Sequence, residues 1–290
     1  MINQIELIGA SIDACSGIKG SKDTPYIINN ILQTEMLLKF KNIIAYRHKT
    51  QNIELLELYY TELANSLLNS LNNHKIPCVI GGDHSCAIAT WSAISYKLSN
   101  EKEELGLLWF DAHMDAHTPI TTPSNNIHGM PVATLLGYGH KQFTQLLNNK
   151  PKIKPENIIL IGVRSFESAE QELLTKLGVK IYYQKDVIFH GLNKIIHDSY
   201  NYLQHKVDKI GFSIDVDGFD PIFTPGVGTT VKNGINLLEF LNIIQTLDLK
   251  KMIAFEITEG NQILDIENKT ICAIIKIIET FIIKIKKNEL

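Results

Sequence analysis

Leu107-Leu108-Trp109-Phe110-Asp111-Ala112-His113-Met114-Asp115 runs from an unbroken apolar segment straight into acid and imidazole. The apolar part begins at Leu105 and is too short for a helix, so it reads as a strand buried on both faces. Similar runs occupy residues 5–8, 76–80, 158–162, 179–183, 209–214 and 251–257, with helix-like patterns at 53–72, 168–177 and 192–204 between them. Buried strands alternating with amphipathic helices predict an α/β domain, a parallel sheet with crossover helices on both faces. No repeat, low-complexity run or linker interrupts the pattern, and residues 1–290 are expected to form one domain.

In parallel α/β sheets, ligands collect beyond the carboxyl ends of the strands. Here three of those ends carry chemistry. Asp111, His113 and Asp115 follow at a spacing of two, which places them on one face of an extended chain. Asp215 and Asp217 repeat the spacing after the run 209–214. His84 follows the paired glycines Gly81-Gly82, which permit a tight turn into the space above the sheet. Taken singly, His84 also fits a helix start, and either Asp215 or Asp217 could serve a turn. Together, four aspartates and two histidines repel and resist desolvation unless cations join them. Two divalent ions balance four carboxylates. Oxygen donors without thiolates favour hard ions such as manganese, and a paired-metal site supplies hydroxide for hydrolysis at neutral pH.

The bulk properties fit a small-molecule enzyme. Apolar residues make up 44 %, charged residues 20 %, and the net charge is −3, so no nucleic-acid surface is expected. Four cysteines, with no C-x-x-C pair, read as reduced and mostly buried thiols of a cytoplasmic protein. The stretch 1–9 contains Glu6 and no basic segment, unlike a signal peptide. Lys276, Glu279 and Lys284 interrupt the apolar stretch 271–285, so a docked helix is expected there and no membrane span.

The blocks Gly81-Gly82-Asp83-His84-Ser85, Asp111-Ala112-His113-Met114-Asp115-Ala116-His117 and Ser213-Ile214-Asp215-Val216-Asp217-Gly218-Phe219-Asp220-Pro221 resemble the three signatures of the arginase and agmatinase ureohydrolases. The resemblance extends over almost the whole chain. It implies a three-layer α/β/α sandwich, commonly assembled as trimers or hexamers, and two Mn2+ ions per chain. His84, Asp111, Asp115 and Asp215 would hold one ion. His113, Asp111, Asp215 and Asp217 would hold the other, with Asp111 and Asp215 bridging. His128, in His128-Gly129-Met130-Pro131, matches the family's proton-shuttling histidine, while Glu256 is matched to the carboxylate that pairs with the guanidinium. Glu259 is read as an exposed loop acid.

The same resemblance makes the loop 118–126 the holder of a substrate carboxylate, with Ser124, Asn126 and His117, and it places Thr229 in the pocket wall and Glu167 at an α-ammonium. The chain departs from the family pattern in several places. His117 replaces an asparagine, Ser165 replaces an aspartate, Glu167 is one methylene longer than expected, and 16–25 lacks the usual entry-loop pattern. The expected reaction is hydrolysis of L-arginine to L-ornithine and urea. Agmatine or another guanidino acid is the alternative substrate. A metal-stabilised binding protein without activity would be expected to lack a ligand, and none is missing.

Overall fold

The structure, a computed structural model, describes residues 4–35 and 40–288. Residues 1–3 of the N-terminal stretch lie outside them. Among the described residues, eight strands form one sheet: β1 (Ile5–Ser11), β2 (Asn42–Ala45), β3 (Ile76–Gly81), β4 (Leu105–Phe110), β5 (Ile158–Val163), β6 (Lys180–Tyr183), β7 (Lys209–Asp215) and β8 (Met252–Thr258). Their order is β2-β1-β3-β8-β7-β4-β5-β6, and every pairing is parallel.

Successive side chains of a strand face opposite sides, and both sides of this sheet are covered. Leu108 and Phe110 join a cluster with Ile28, Ile196, Phe240 and Ile277. These come from α1 (Thr24–Glu35), α8 (Leu192–Lys206), α9 (Leu237–Ile244) and α10 (Lys269–Asn288). Leu107 and Trp109 turn the other way, to Trp91 and Leu174, from α3 (Ala87–Glu101) and α6 (Ser168–Leu177). On that same side α2 (Ile53–Asn72) buries Leu56, Tyr60, Leu63 and Leu67 at helical spacing. The predicted layering of helix, sheet and helix is therefore present. The stretch 271–285 lies in the docked helix α10, and among the described residues no helix is long and apolar enough to cross a membrane.

The order of strands positions the site. The chain passes from β3 to β4 over a gap of two strands, which β8 and β7 later fill. The carboxyl ends of β3, β8, β7 and β4 thus stand side by side at the reversal of the winding, where α/β sheets open a crevice. Strand β2 was not expected. It has four residues on the sheet's edge, too few for its periodicity to register.

Candidate metal centre

A single row of side chains across the sheet forms the floor of the site. Register pairs Val79 with Glu256, Glu256 with Ser213, and Ser213 with Trp109. The His84 ring stacks on the Trp109 indole, with centroids 4.3 Å apart. The turn that brings His84 there needs Gly82, because a Cβ at that position would lie 1.8 Å from the Ile12 carbonyl oxygen.

Two carboxylate cages stand on this floor. In the inner one, His84 Nδ1 lies 3.2 Å from Asp111 Oδ2 and 3.1 Å from Oδ2 of both Asp115 and Asp215. In the outer one, His113 Nδ1 lies 3.4 Å from Asp111 Oδ1 and 3.2 Å from Asp217 Oδ2. Asp111 faces both histidines through its two oxygens, as a bridging ligand must. The six expected ligands are brought together, all buried except the half-buried His113.

The hydrogen bonds decide what the inner cage can hold. Ser213 has one hydroxyl proton, which it donates to Glu256 Oε1 at 2.6 Å. At 2.9 Å from the same hydroxyl, His84 Nε2 must then donate to it. A neutral ring in that tautomer turns a bare lone pair at Nδ1 toward three carboxylate oxygens. Indeed His84 Nδ1 and Asp115 Oδ2 are buried without a hydrogen-bond partner. Only a cation reconciles these groups. Burial opposes a charged ring, yet the Asp111, Asp115 and Asp215 carboxylates, ready to accept from a protonated ring, raise the His84 pKa well above the ordinary value, so the cage draws positive charge strongly. The donor set fits two divalent ions.

The cages are held from behind. Asp111 accepts from Trp109 Nε1 at 3.0 Å and from the His113 N–H at 2.7 Å. The Arg164 guanidinium donates to the carbonyls of Asp217 (2.7 Å), Gly218 (3.0 Å), Phe219 (3.2 Å), Gly162 (3.1 Å) and Val231 (2.9 Å), clamping the turn after β7. Asp115 adopts a left-handed backbone, φ 48°, a conformation non-glycine residues tolerate mainly at functional sites.

Beyond the cages opens a cavity of about 260 Å³, lined by Asp115, His117, Ser124, Asn126, His128, Glu167 and Thr229, together with His113, Asp215 and Asp217. Of the residues expected to contact substrate, His117, Ser124, Asn126, Glu167 and Thr229 thus share one pocket. Thr229 Oγ1 donates to Asp217 Oδ2 at 3.1 Å, so it braces the outer cage as well as lining the wall. His117 Nε2 lies 2.9 Å from Glu167 Oε2 and 3.4 Å from Glu170 Oε2.

The two glutamates at and just past the end of β8 do not stand where they were expected. Glu256 is fully buried in the floor, where its Oε1 accepts from Trp91 Nε1 and from Ser213, and it does not line the cavity. It lies inside the strand, so alternation aims it at α3. Glu259, expected as an exposed acid, is only 3 % exposed. It falls just past the strand with φ 65°, which turns it back over the site. There its Oε1 accepts from the His84 N–H at 2.7 Å and lies 3.0 Å from His128 Nδ1. Burial opposes charge on His128, but Glu259 outweighs it and pushes the pKa up to about 9. The same pairing holds Glu259 below its ordinary value against the effect of burial.

Glu170 was also missed. It accepts from the backbone N–H of Ala116 (2.9 Å) and Glu167 (3.1 Å) at the start of α6, and burial pushes its pKa up to about 8. Its sequence signal, a glutamate three residues after Glu167, is the pattern of a helix capping box.

The family model described as the arginase family matches residues 3–284. The chain belongs to the arginase family. This arginase-family chain is 38 % identical over 223 residues to the arginase of Bacillus caldovelox, an overlap of 77 % of this chain and 73 % of the relative. The crystal structure of arginase from Bacillus subtilis superposes with a TM-score of 0.87 at 32 % identity, over 97 % of this chain and 98 % of that one. The Entamoeba histolytica arginase in complex with L-ornithine gives a TM-score of 0.86 at 26 % identity, over 96 % and 98 %. The bimetallic cages described above are therefore those of an arginase-family hydrolase.

Proposed function

We propose that this protein hydrolyses L-arginine to L-ornithine and urea with two Mn2+ ions held by His84, Asp111, Asp115, Asp215, His113 and Asp217. The observation that carries this reading is the polarity of the cavity beside the cages. Metal cages stand at its inner end, and carboxylate and hydroxyl groups suited to an amino-acid head stand at its outer end. The ions, when bound, would acidify water and so supply a nucleophile at neutral pH.

The chain's own residues account for the rest. Glu259, rather than Glu256, stands beside the cavity-lining His128, where a carboxylate would orient a planar cation through paired hydrogen bonds. His128, charged by its contact with Glu259, holds a proton for the departing δ-nitrogen of ornithine. Ser124 and Asn126 offer hydrogen-bond donors to the α-carboxylate. Glu167 and Glu170 offer acceptors to the α-ammonium.

One observation favours a second reading. The contact between His117 and Glu167 occupies the carboxylate meant for the ammonium, so a guanidino acid without an α-amino group, such as 4-guanidinobutyrate, has less to displace. Urea release from arginine, agmatine and 4-guanidinobutyrate by manganese-loaded protein separates these readings. Agmatine lacks the carboxylate and is expected to show a kcat/KM about 10²–10⁴-fold lower than arginine, as when a polar site meets an analogue lacking its partner. Equal turnover of agmatine would refute the carboxylate contact. A preference for 4-guanidinobutyrate would keep that contact and discard the ammonium site.

A further inference from the structure

The geometry points to a third cation site at the outer end of the cavity, formed by His117, Glu167 and Glu170 and suited to zinc. One nitrogen of His117 and one oxygen from each glutamate lie within 4.8 Å of one another. Imidazole nitrogen meets carboxylate oxygens at 2.9 and 3.4 Å, much as His113 meets Asp217 and Asp111 at 3.2 and 3.4 Å in the outer cage. The two arrangements differ in one respect. No aspartate of the cages belongs to the third group, so it would take its ion independently.

Two of the three ligands are already fixed. Glu170 is 3 % exposed, and its carboxylate is anchored by the N–H groups of Ala116 and Glu167. His117 is 7 % exposed, its backbone N–H donates to the Gly129 carbonyl at 3.0 Å, and Nδ1 lies 3.3 Å from Thr121 Oγ1. A ligand ring braced through its other nitrogen is how proteins orient metal-binding histidines. Glu167 is the accessible member, with its side chain 59 % exposed, and it can move to close on an arriving ion. One imidazole and two carboxylates leave a fourth position for water, the ligand count of open zinc sites. Zinc binds a given nitrogen- and oxygen-donor site more tightly than manganese does, and each cage also carries one imidazole, so the two metals are to be separated by keeping manganese in excess to hold the cages while zinc enters this group. The imidazole is decisive, and His117 stands where this chain departs from the family pattern.

Bound there, zinc would take the acceptors assigned above to the substrate's ammonium and inhibit competitively. That consequence rests on the arginine reading. The binding itself does not. The test uses the full protein, loaded with manganese and kept in excess free manganese, dialysed against micromolar zinc and analysed for both metals. About one zinc per chain should be retained with both manganese ions kept, and His117→Asn should lose that zinc while keeping manganese. In crystals soaked the same way, anomalous scattering at the zinc edge should place a peak about 2.0–2.2 Å from His117 Nε2 and the glutamate oxygens. Zinc entering only as manganese leaves, equal zinc uptake by His117→Asn, or no peak at His117 would each overturn the site. If zinc binds as expected but inhibition does not weaken as arginine rises, the site stands and the substrate reading fails.

Discussion

At the residue scale, Glu256 and Glu259 stand three positions apart and do different work, which mutation can separate. Glu256→Gln would weaken the acceptor that fixes the Ser213 hydroxyl and, through it, the His84 tautomer. Partners behind a metal-bound histidine are worth roughly 10–100-fold in metal affinity or activity, so manganese should dissociate more readily from this variant. Glu259→Gln should keep both ions and change the pH profile. His128 must be protonated to donate, so kcat should fall as pH rises through about 9. Without the Glu259 charge, that limb should move down toward an ordinary imidazole value of about 6.5. A limb unmoved in Glu259→Gln would detach His128 from it. His128→Asn should lower kcat by about 10²–10⁴-fold with metal content unchanged, the usual weight of a general acid; a parallel loss of metal would make His128 structural.

At the element scale, the turn after β7 depends on Arg164. Its guanidinium serves five carbonyls of three chain segments, among them the consecutive carbonyls of Asp217, Gly218 and Phe219. Arg164→Met leaves those acceptors short of donors, at about 1–3 kcal/mol for each group left unsatisfied. We expect a loss of at least about 3 kcal/mol in urea denaturation and weaker manganese retention. An unchanged midpoint with both ions bound would show that the turn holds itself. The sequence pattern could not reveal this clamp, because an arginine after an apolar strand looks like any solvated loop residue. Strands, by contrast, were legible wherever both faces are buried, since β4 and β7 are nearly continuous apolar runs. The metal ligands were legible for a related reason. Charged groups packed at alternate positions against such runs need a cation, whatever the tertiary contacts. Glu256 and Glu259 were misplaced because their positions depend on where β8 ends. That strand continues to Thr258, one residue beyond the apolar run, so Glu256 remains under α3 and Glu259 is the first residue free to turn over the site.

At the scale of the whole molecule, the site joins the halves of the sheet. His84 comes from the β3 side, Asp111 from the far side of the gap, and Asp215 from the strand that later fills it. Ions that bridge these ends act on the folded state alone, because the unfolded chain scatters the ligands over more than a hundred residues. An ion at 100 times its Kd stabilises the fold by about 2.7 kcal/mol, so two ions contribute roughly 5 kcal/mol. For a chain of this size each kcal/mol moves Tm by about 2 °C. Chelation should therefore lower Tm by about 10 °C, and the shift should grow with the logarithm of free manganese in the loaded protein. Asp215→Asn removes a carboxylate that faces His84 in the inner cage and relieves some repulsion in the metal-free state. Its metal-free Tm should equal or exceed that of the unaltered protein, while the gain on adding manganese shrinks. Calorimetry with and without chelator measures both quantities. A metal-free Asp215→Asn variant much less stable than the metal-free parent would mean that Asp215 supports the fold by itself, and that the cage is not a charge cluster waiting for an ion.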